Sequence, residues 1–389
     1  MALLEFINSN PNWKNILAAE PYNISIVEEY PFTLLKYKKD RINFSDPIVR
    51  ECRGSIVFYD DIINSWRYVC RPFDKFQNYY NEDSDLSKID WSTAVVKEKV
   101  DGSLIKVWYS RLDRLWHIST NGTIDADKTT LPNTNITYFD YFKKAFGAPL
   151  QVLLDTLDYR FTYMFELVGP DNHLIVDYPE PAIYFLAARN TALGYYADGK
   201  SSAVSGLYGL TSIKYPGHYN LHSLKDCVSA AERMNKNQEG FVVSDAFGNR
   251  IKIKSPEYLK AAAFYNNGVL TTKNALELIQ EGKVDDFLDY IPIYKDRMNK
   301  IIFNFNRMCS IIEYLSRLER RPTRKEHYED LSAQAKEHIP NQKLLRDAII
   351  GYGMVCYDGK NSGAANYLFN MKSRSKLVDM VEEFINSKN

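Results

Sequence analysis

The sequence predicts an α+β fold in two parts: antiparallel β-sheets with flanking helices, then an all-α C-terminal domain. Length is the first ground. At 389 residues the chain exceeds what one ordinary core organises, so two domains are expected. The second is texture. The first half is rich in Tyr, Val, Ile and Phe with turn residues at short intervals, and runs of strands with occasional helices favour antiparallel sheet. The third is a change near Ser255-Pro256, beyond which apolar residues recur at three- and four-residue spacing. The boundary falls at about residue 260, giving domains 1–260 and 261–389.

Candidate strands include Ser55 to Tyr59, Ala94 to Lys97, Leu104 to Tyr109, Leu115 to Ser119, Thr162 to Val168, Ile183 to Ala188, Gly240 to Ser244 and Arg250 to Lys254. Helices are expected at Tyr138 to Phe146, leading on to Leu157, and at Leu224 to Asn235. Beyond the boundary the helical pattern covers Ala275 to Glu281, Ile291 to Leu318, Leu344 to Met354 and Lys376 to Ile385.

Composition narrows the function classes. With 45% hydrophobic and 25% charged residues and no run of about 18 apolar ones, the chain is expected to be globular, without a membrane span. Met1-Ala-Leu-Leu-Glu-Phe has no basic region before a long apolar core, so no secretory signal is expected. The five cysteines form no Cys-x-x-Cys pair, which fits a reducing compartment. Cys52 and Cys70 read as small buried residues rather than reactive thiols. A net charge of zero excludes a uniformly basic coat but not a local basic groove.

Charged residues recur on, or at the ends of, the candidate strands. Residues 97–103 read Lys-Glu-Lys-Val-Asp-Gly-Ser. Ahead lie Glu51-Cys52-Arg53-Gly54 and Arg71-Pro72-Phe73-Asp74-Lys75-Phe76. Behind come Ser119-Thr120-Asn121-Gly122-Thr123, Phe165-Glu166-Leu167-Val168-Gly169, Glu239-Gly240-Phe241-Val242-Val243 and Lys252-Ile253-Lys254-Ser255. Lys252 and Lys254 are two apart on one strand, so both point to one face. A free lysine has a pKa of about 10.4 and is not nucleophilic at neutral pH. Nearby cations disfavour the charged form, and Lys252, Lys254 and a bound Mg²⁺ would supply them for Lys99. The neutral amine could then attack the phosphorus of a phosphate-bearing ligand, with Lys252 and Lys254 offsetting the charge that develops. Asp101 and Gly102 form a turn, where glycine lets backbone approach a ligand. Glu166 and Glu239 stand in apolar runs and call for a metal or hydroxyl partner.

This order and spacing resemble the covalent nucleotidyltransferase superfamily of ATP-dependent ligases and capping enzymes, and within it the phage RNA ligase 1 family. The motifs E-C-R-G, R-P-x-x-K-F, K-x-D-G-S-L, E-G-F-V and K-I-K-S carry the likeness over roughly residues 30 to 260. It implies a nucleotidyltransferase domain that forms a lysine–AMP bond on Lys99, with Lys252 and Lys254 catalytic and also in contact with the nucleotide. Arg53, Lys75, Phe76, Asp101, Gly102, Asn121 and, more loosely, Tyr37 would contact the nucleotide. Glu166 would serve the ribose and metal side, Glu239 metal and nucleotide, and Asp285 of E-G-K-V-D-D a metal position. Where the family often has a basic residue this chain has Asn121, whose amide can hydrogen-bond but carries no charge. The implied cofactors are ATP and Mg²⁺, with Mn²⁺ as substitute. The implied substrate is RNA with 5′-phosphate and 3′-hydroxyl ends, tRNA among them, with single-stranded DNA a weaker one. The implied setting is RNA repair by a monomer in the cytoplasm of a phage-infected cell.

Other readings stay open. A DNA ligase or GTP-using capping enzyme shares the lysine chemistry, but usually follows the last lysine motif with a small β-barrel where this chain turns helical. A non-catalytic RNA-binding protein on the same fold is the other rival. His218-x-x-x-His222 has helical metal spacing but follows Pro216-Gly217 and lacks a third ligand nearby. Lys295 to Lys325 holds nine Lys or Arg and three Asp or Glu, interleaved with Phe303, Phe305 and Tyr314. It reads either as an RNA-contacting face or as a solvated helix over a buried aromatic stripe.

Overall fold

The structure, a computed structural model, describes residues 2–38, 43–81, 86–132, 134–264, 270–290, 294–317, 319–360, 363–371 and 373–387. The chain forms two compact units, Met1–Ala262 and Ala263–Asn389.

The first unit is built on three sheets. Strands β1 (Ile24–Glu29), β2 (Phe32–Tyr37), β3 (Arg53–Asp60) and β4 (Ser65–Cys70) form an antiparallel meander. Strands β6 (Ser103–Ser110), β7 (Leu115–Thr120), β8 (Phe161–Val168), β9 (Ala182–Asn190) and β10 (Ile213–Lys214) give a second sheet in the order β10-β9-β8-β6-β7. All its pairings are antiparallel except β9 with β10. The third sheet is β11-β5-β12-β13, from β5 (Val95–Glu98), β11 (His218–Tyr219), β12 (Gly240–Ser244) and β13 (Arg250–Lys254), again antiparallel. The expected α+β architecture is therefore present.

Side-chain alternation decides what each strand presents. On β6 and β8, Ile105, Val107, Tyr163, Phe165 and Leu167 enter a core with Tyr141, Phe142 and Phe146 of the helix Tyr138–Phe146. On the opposite face, Trp108 joins Leu34, Ile56 and Cys70 of the first sheet in another core. Strand β8 is thus covered on both sides, and Glu166 is its one position that is not fully buried. In the third sheet Val96, Phe241, Val243, Ile251 and Ile253 pack against Cys227 and Ala231 of the helix Leu224–Ala231. The alternate residues, Lys252 and Lys254 among them, are left on the other face.

Several elements differ from expectation. The helix after Thr137 starts where that side chain accepts from the Asp140 N–H, and stops at Gly147, which adopts φ 70°. Pro149 then precedes a separate helix, Leu150–Leu154, so no continuous helix reaches Leu157. The helix from Leu224 ends at Ala231 rather than Asn235. His218 lies in β11 and His222 in the following loop, so neither has helical spacing.

The second unit is helical. Among its helices are Thr272–Glu281, Val284–Tyr290, Lys295–Leu315, Arg324–His338, Lys343–Tyr357 and Arg374–Asn386. Residues 291–293 and 318 of the expected helix lie outside the described residues. Its core gathers Leu276, Phe305, Met308, Ile312, Ile349, Leu377 and Phe384. No helix among the described residues is long and apolar enough to cross a membrane.

Candidate active site

The first unit contains a cleft of about 880 Å³. Arg53, Phe76, Lys99, Asp101, Gly102, Asn121, Glu166, Glu239 and Lys252 all line it. Nine positions between residues 53 and 252 therefore converge from all three sheets.

Lys99 follows β5 directly, and its N–H donates to the Gly240 carbonyl at 2.8 Å. That bond places the lysine beside the residue before Gly240. Lys99 Nζ lies 2.6 Å from Glu239 Oε2, and Lys254 Nζ holds Glu239 Oε1 at 2.8 Å. The Glu239 side chain is 2% exposed. Burial pushes its carboxyl up, but Lys99 and Lys254 outweigh burial and hold it below the usual range. Gly240 is required here. It adopts φ +135°, and a Cβ would stand 2.1 Å from the Ile253 carbonyl oxygen.

The pairing corrects one sequence expectation. Cations were expected to depress the Lys99 pKa. Burial does pull it down, but Glu239 and Glu166 more than compensate, so Lys99 is held above its ordinary value. Lys252, by contrast, is pulled down to about 6 by burial and by the neighbouring cations Lys75, Arg53, Lys99 and Lys254. Its ammonium sits 4.9 Å from the Phe76 ring, and Arg53 lies over the same ring at 5.4 Å.

Glu166 faces the cleft from β8. Burial raises its carboxyl to about 7, with Lys99 opposing and Glu239 adding to the rise. Asp101 is 4% exposed and fully engaged. Its Oδ2 accepts from the Ile175 and Val176 N–H groups, and its Oδ1 from the Tyr258 hydroxyl at 2.9 Å. Asp101 thus anchors the turn where it lines the cleft. A Cβ on Gly102 would lie 2.4 Å from the Leu167 carbonyl oxygen, so glycine lets β6 close against β8 beneath Glu166.

Three buried polar atoms of lining residues have no partner among the described residues: Arg53 Nη1, Asn121 Oδ1 and the Tyr215 hydroxyl. Buried donors and acceptors are rarely left unpaired, so all three suit a polar ligand. Lys75 stands behind this wall, 5.7 Å from the Tyr37 ring and 4.9 Å from that of Phe44. Tyr37 and Lys75 do not line the cleft, and Lys254 reaches it through Glu239. Asp285 is exposed on the helix Val284–Tyr290 of the second unit and is not among the lining residues. Among the described residues no group of three or more His, Cys, Asp or Glu side chains converges as a cation cage.

Sequence reasoning passed over several residues that shape the cleft. Tyr258 and Tyr178 hold the Asp101 turn, Tyr178 by accepting from the Asp101 N–H at 3.2 Å. Lys97 and Arg250 line the cleft from β5 and β13. The strand period was the available signal: Arg250 shares a face with Lys252, and Lys97 with Lys99. Lys106 is wholly buried on β6 and donates to the Gly54 carbonyl.

A cleft that gathers amines, carboxylates and unpaired polar atoms has the chemistry to hold a phosphorylated ligand. The sequence model of the RNA ligase family matches residues 51–258, more than half of the chain, and the chain belongs to that family. It is a phage RNA ligase 1-like member. The matched span holds every lining residue named above; Tyr37 and Asp285 fall outside it. The chain is 31% identical over 310 residues to a protein of Autographa californica nuclear polyhedrosis virus, provisionally named a bifunctional polynucleotide kinase/RNA ligase. That likeness covers 74% of this chain and 41% of the viral protein, so this chain matches well under half of that relative's length. It is 26% identical over 322 residues to the RNA ligase of Rhodothermus phage RM378, covering 66% and 71% of the two chains. Among solved structures, an archaeal ATP-dependent RNA ligase overlaps 96% of this chain and 84% of its own, with 12% identity and a TM-score of 0.42.

Proposed function

We propose that the chain is an ATP-dependent RNA ligase that joins 5′-phosphate and 3′-hydroxyl ends of single-stranded RNA through a lysine–AMP intermediate. The observation that carries this reading is the convergence of Lys99, Glu239, Glu166, Lys252 and Arg53 on one cleft. Family membership adds to it.

In the first step the neutral Lys99 amine forms a bond to the α-phosphorus of ATP, while the bond to the bridging oxygen breaks and pyrophosphate leaves with the electron pair. Glu239 Oε2, at 2.6 Å, orients the amine and is placed to receive its proton. Lys252, in charged form once an anion is bound, offsets charge on the α-phosphate, and Arg53 turns its unpaired Nη1 to phosphate or ribose. Asn121 Oδ1 accepts from a nucleotide hydroxyl. In the second step an RNA 5′-phosphate oxygen takes the α-phosphorus, and the Lys99 nitrogen leaves and regains a proton. In the third an RNA 3′-hydroxyl attacks the activated 5′-phosphate, losing its proton as AMP departs.

The donor set fits a divalent cation, Mg²⁺ or Mn²⁺. Glu166 accepts no hydrogen bond among the described residues, and with Glu239 it offers hard oxygen ligands, the remainder coming from water and phosphate. Such a cation supplies neutralisation of the triphosphate charge. We assign residues 1–260 to adenylyl transfer and 261–389 to substrate choice. RNA repair, including that of broken tRNA, is the proposed role.

The test needs no RNA. The protein, shown by mass measurement to carry no AMP, is mixed with Mg²⁺ and ATP labelled at the α-phosphate, then denatured. Label on the polypeptide, absent from Lys99→Ala, is the expected result. An unlabelled parent rules out the enzyme and leaves a non-catalytic RNA-binding protein.

A further inference from the structure

The helix Lys295–Leu315 buries Met298, Ile301, Phe305, Met308, Ile312 and Leu315. On its opposite side Lys300, Phe303, Arg307, Ser310 and Tyr314 follow at three- and four-residue steps, and Arg317 continues the row just past its end. All are exposed, Phe303 at 63% and Tyr314 at 73%, whereas Phe305 is buried at 2%. The aromatic residues of this basic stretch therefore divide between core and surface.

Its cations divide too. Arg321 pairs with Asp330, Arg324 with Asp358, and Arg320 lies 4.7 Å over the Tyr357 ring. Those three serve the unit's own structure. Lys300, Arg307 and Arg317 make no ion pair among the described residues. Glu313 is directed elsewhere, its Oε1 accepting from the Ala364 N–H at 3.1 Å. Single exposed aromatics are ordinary on a protein surface. Two of them alternating with three unpaired cations along one helical row is a pattern with matching chemistry, in which cations take phosphates and rings stack on bases.

We infer that the row Lys300–Phe303–Arg307–Tyr314–Arg317 is a docking surface for single-stranded RNA. It spans about 25 Å at 1.5 Å per residue, enough to track several nucleotides. The inference rests on the ligase reading for its choice of RNA, but the two fail separately. A protein partner would call for a broader apolar patch, since charged residues are depleted at the centre of such interfaces.

Two double variants test it: Phe303→Ser with Tyr314→Ser, and Arg307→Glu with Arg317→Glu. Every changed residue is exposed, and a thermal melt matching the parent certifies the fold. Each is expected to bind a 5′-phosphorylated single-stranded RNA about tenfold or more weakly. The charge reversal should also flatten the dependence of binding on salt. Labelling of Lys99 by ATP alone should match the parent. RNA affinity at parental level in both variants overturns the docking surface, whatever the adenylylation result. So does an unchanged RNA affinity with altered sedimentation, which would make the row a protein contact. If the charge reversal fails to fold, Arg307→Ala with Arg317→Ala is read by the same criteria.

Discussion

Lys99 and Lys254 share one carboxylate: Glu239 holds Lys99 Nζ at 2.6 Å on one oxygen and Lys254 Nζ at 2.8 Å on the other. Lys99, the proposed nucleophile, is therefore held as an ammonium, because its acid partner is itself held ionised by two cations. Glu239→Gln removes that charge while keeping a similar shape. Burial and the neighbouring lysine then act on Lys99 without opposition from Glu239, and its pKa falls. We expect Lys99 to react several-fold faster with an amine-acylating reagent at pH 8, read by mass spectrometry of its peptide. Adenylylation should nonetheless fall by about 100-fold or more, since the group that orients the amine is lost. Slower acylation of Lys99 would contradict the storage role.

Glu166 sets a pH limb. Burial lifts its carboxyl from the ordinary range to about 7, so it is neutral below that pH and charged above it. A role that needs the carboxylate makes adenylylation fall as pH drops through about 7. Glu166→Gln should leave a slower enzyme in which that limb is gone. Stability moves the other way. A carboxyl raised in the folded state contributes stability that is full below its unfolded pKa of about 4.3 and lost as pH rises through about 7. Thermal melts should therefore show Glu166→Gln gaining on the parent between those values.

Lys252 couples nucleotide binding to protons. Held near 6, it is mostly neutral in the empty cleft at pH 7.5. An anion drawn against it favours the ammonium, so ATP binding takes up a proton there. Calorimetry in two buffers of different ionisation enthalpy, without divalent cation, should show uptake for the parent. Lys252→Arg, which stays charged, should show less. Equal uptake in both would remove Lys252 as the source.

The constellation was legible because strand periodicity is short and local. Lys252 and Lys254 had to share a face, and the chain order of the charged motifs carried Arg53, Lys99, Glu166 and Glu239 together. What alternation cannot show is which charge meets which. The Lys99–Glu239 pair joins residues 140 apart in sequence, and it reverses the direction expected for the lysine pKa. Nor does alternation show that Asp101, which lines the cleft, also accepts from Ile175, Val176 and Tyr258. The short strands β10 and β11 carry no pattern of their own, since two residues cannot alternate. The helix expected to reach Leu157 failed at Gly147 and Pro149, both readable as punctuation.

Lys106 is the least expected of these residues. It is fully buried on β6, pairs with no carboxylate among the described residues, and donates to the Gly54 carbonyl. Burial pulls its pKa to about 8, with Arg53 adding to the fall. A Cβ on Gly54 would lie 3.0 Å from this ammonium and 3.0 Å from the Asn121 backbone, so three segments meet behind the cleft wall. An isolated buried ammonium costs stability, and replacing such a group by an apolar one is often neutral or favourable. Lys106→Met should accordingly melt no lower than the parent at pH 7. The Gly54 anchor beside Arg53 is lost, so the KM for ATP in adenylylation should rise about tenfold while kcat changes less. The sign of the pH dependence follows from the depressed pKa. The unfolded chain binds more protons between about 8 and about 10.4, so the parent gains stability on Lys106→Met as pH rises across that window. An unchanged KM would reduce Lys106 to packing, and a pH-independent difference in melting would show that its ammonium is not buried in the folded state.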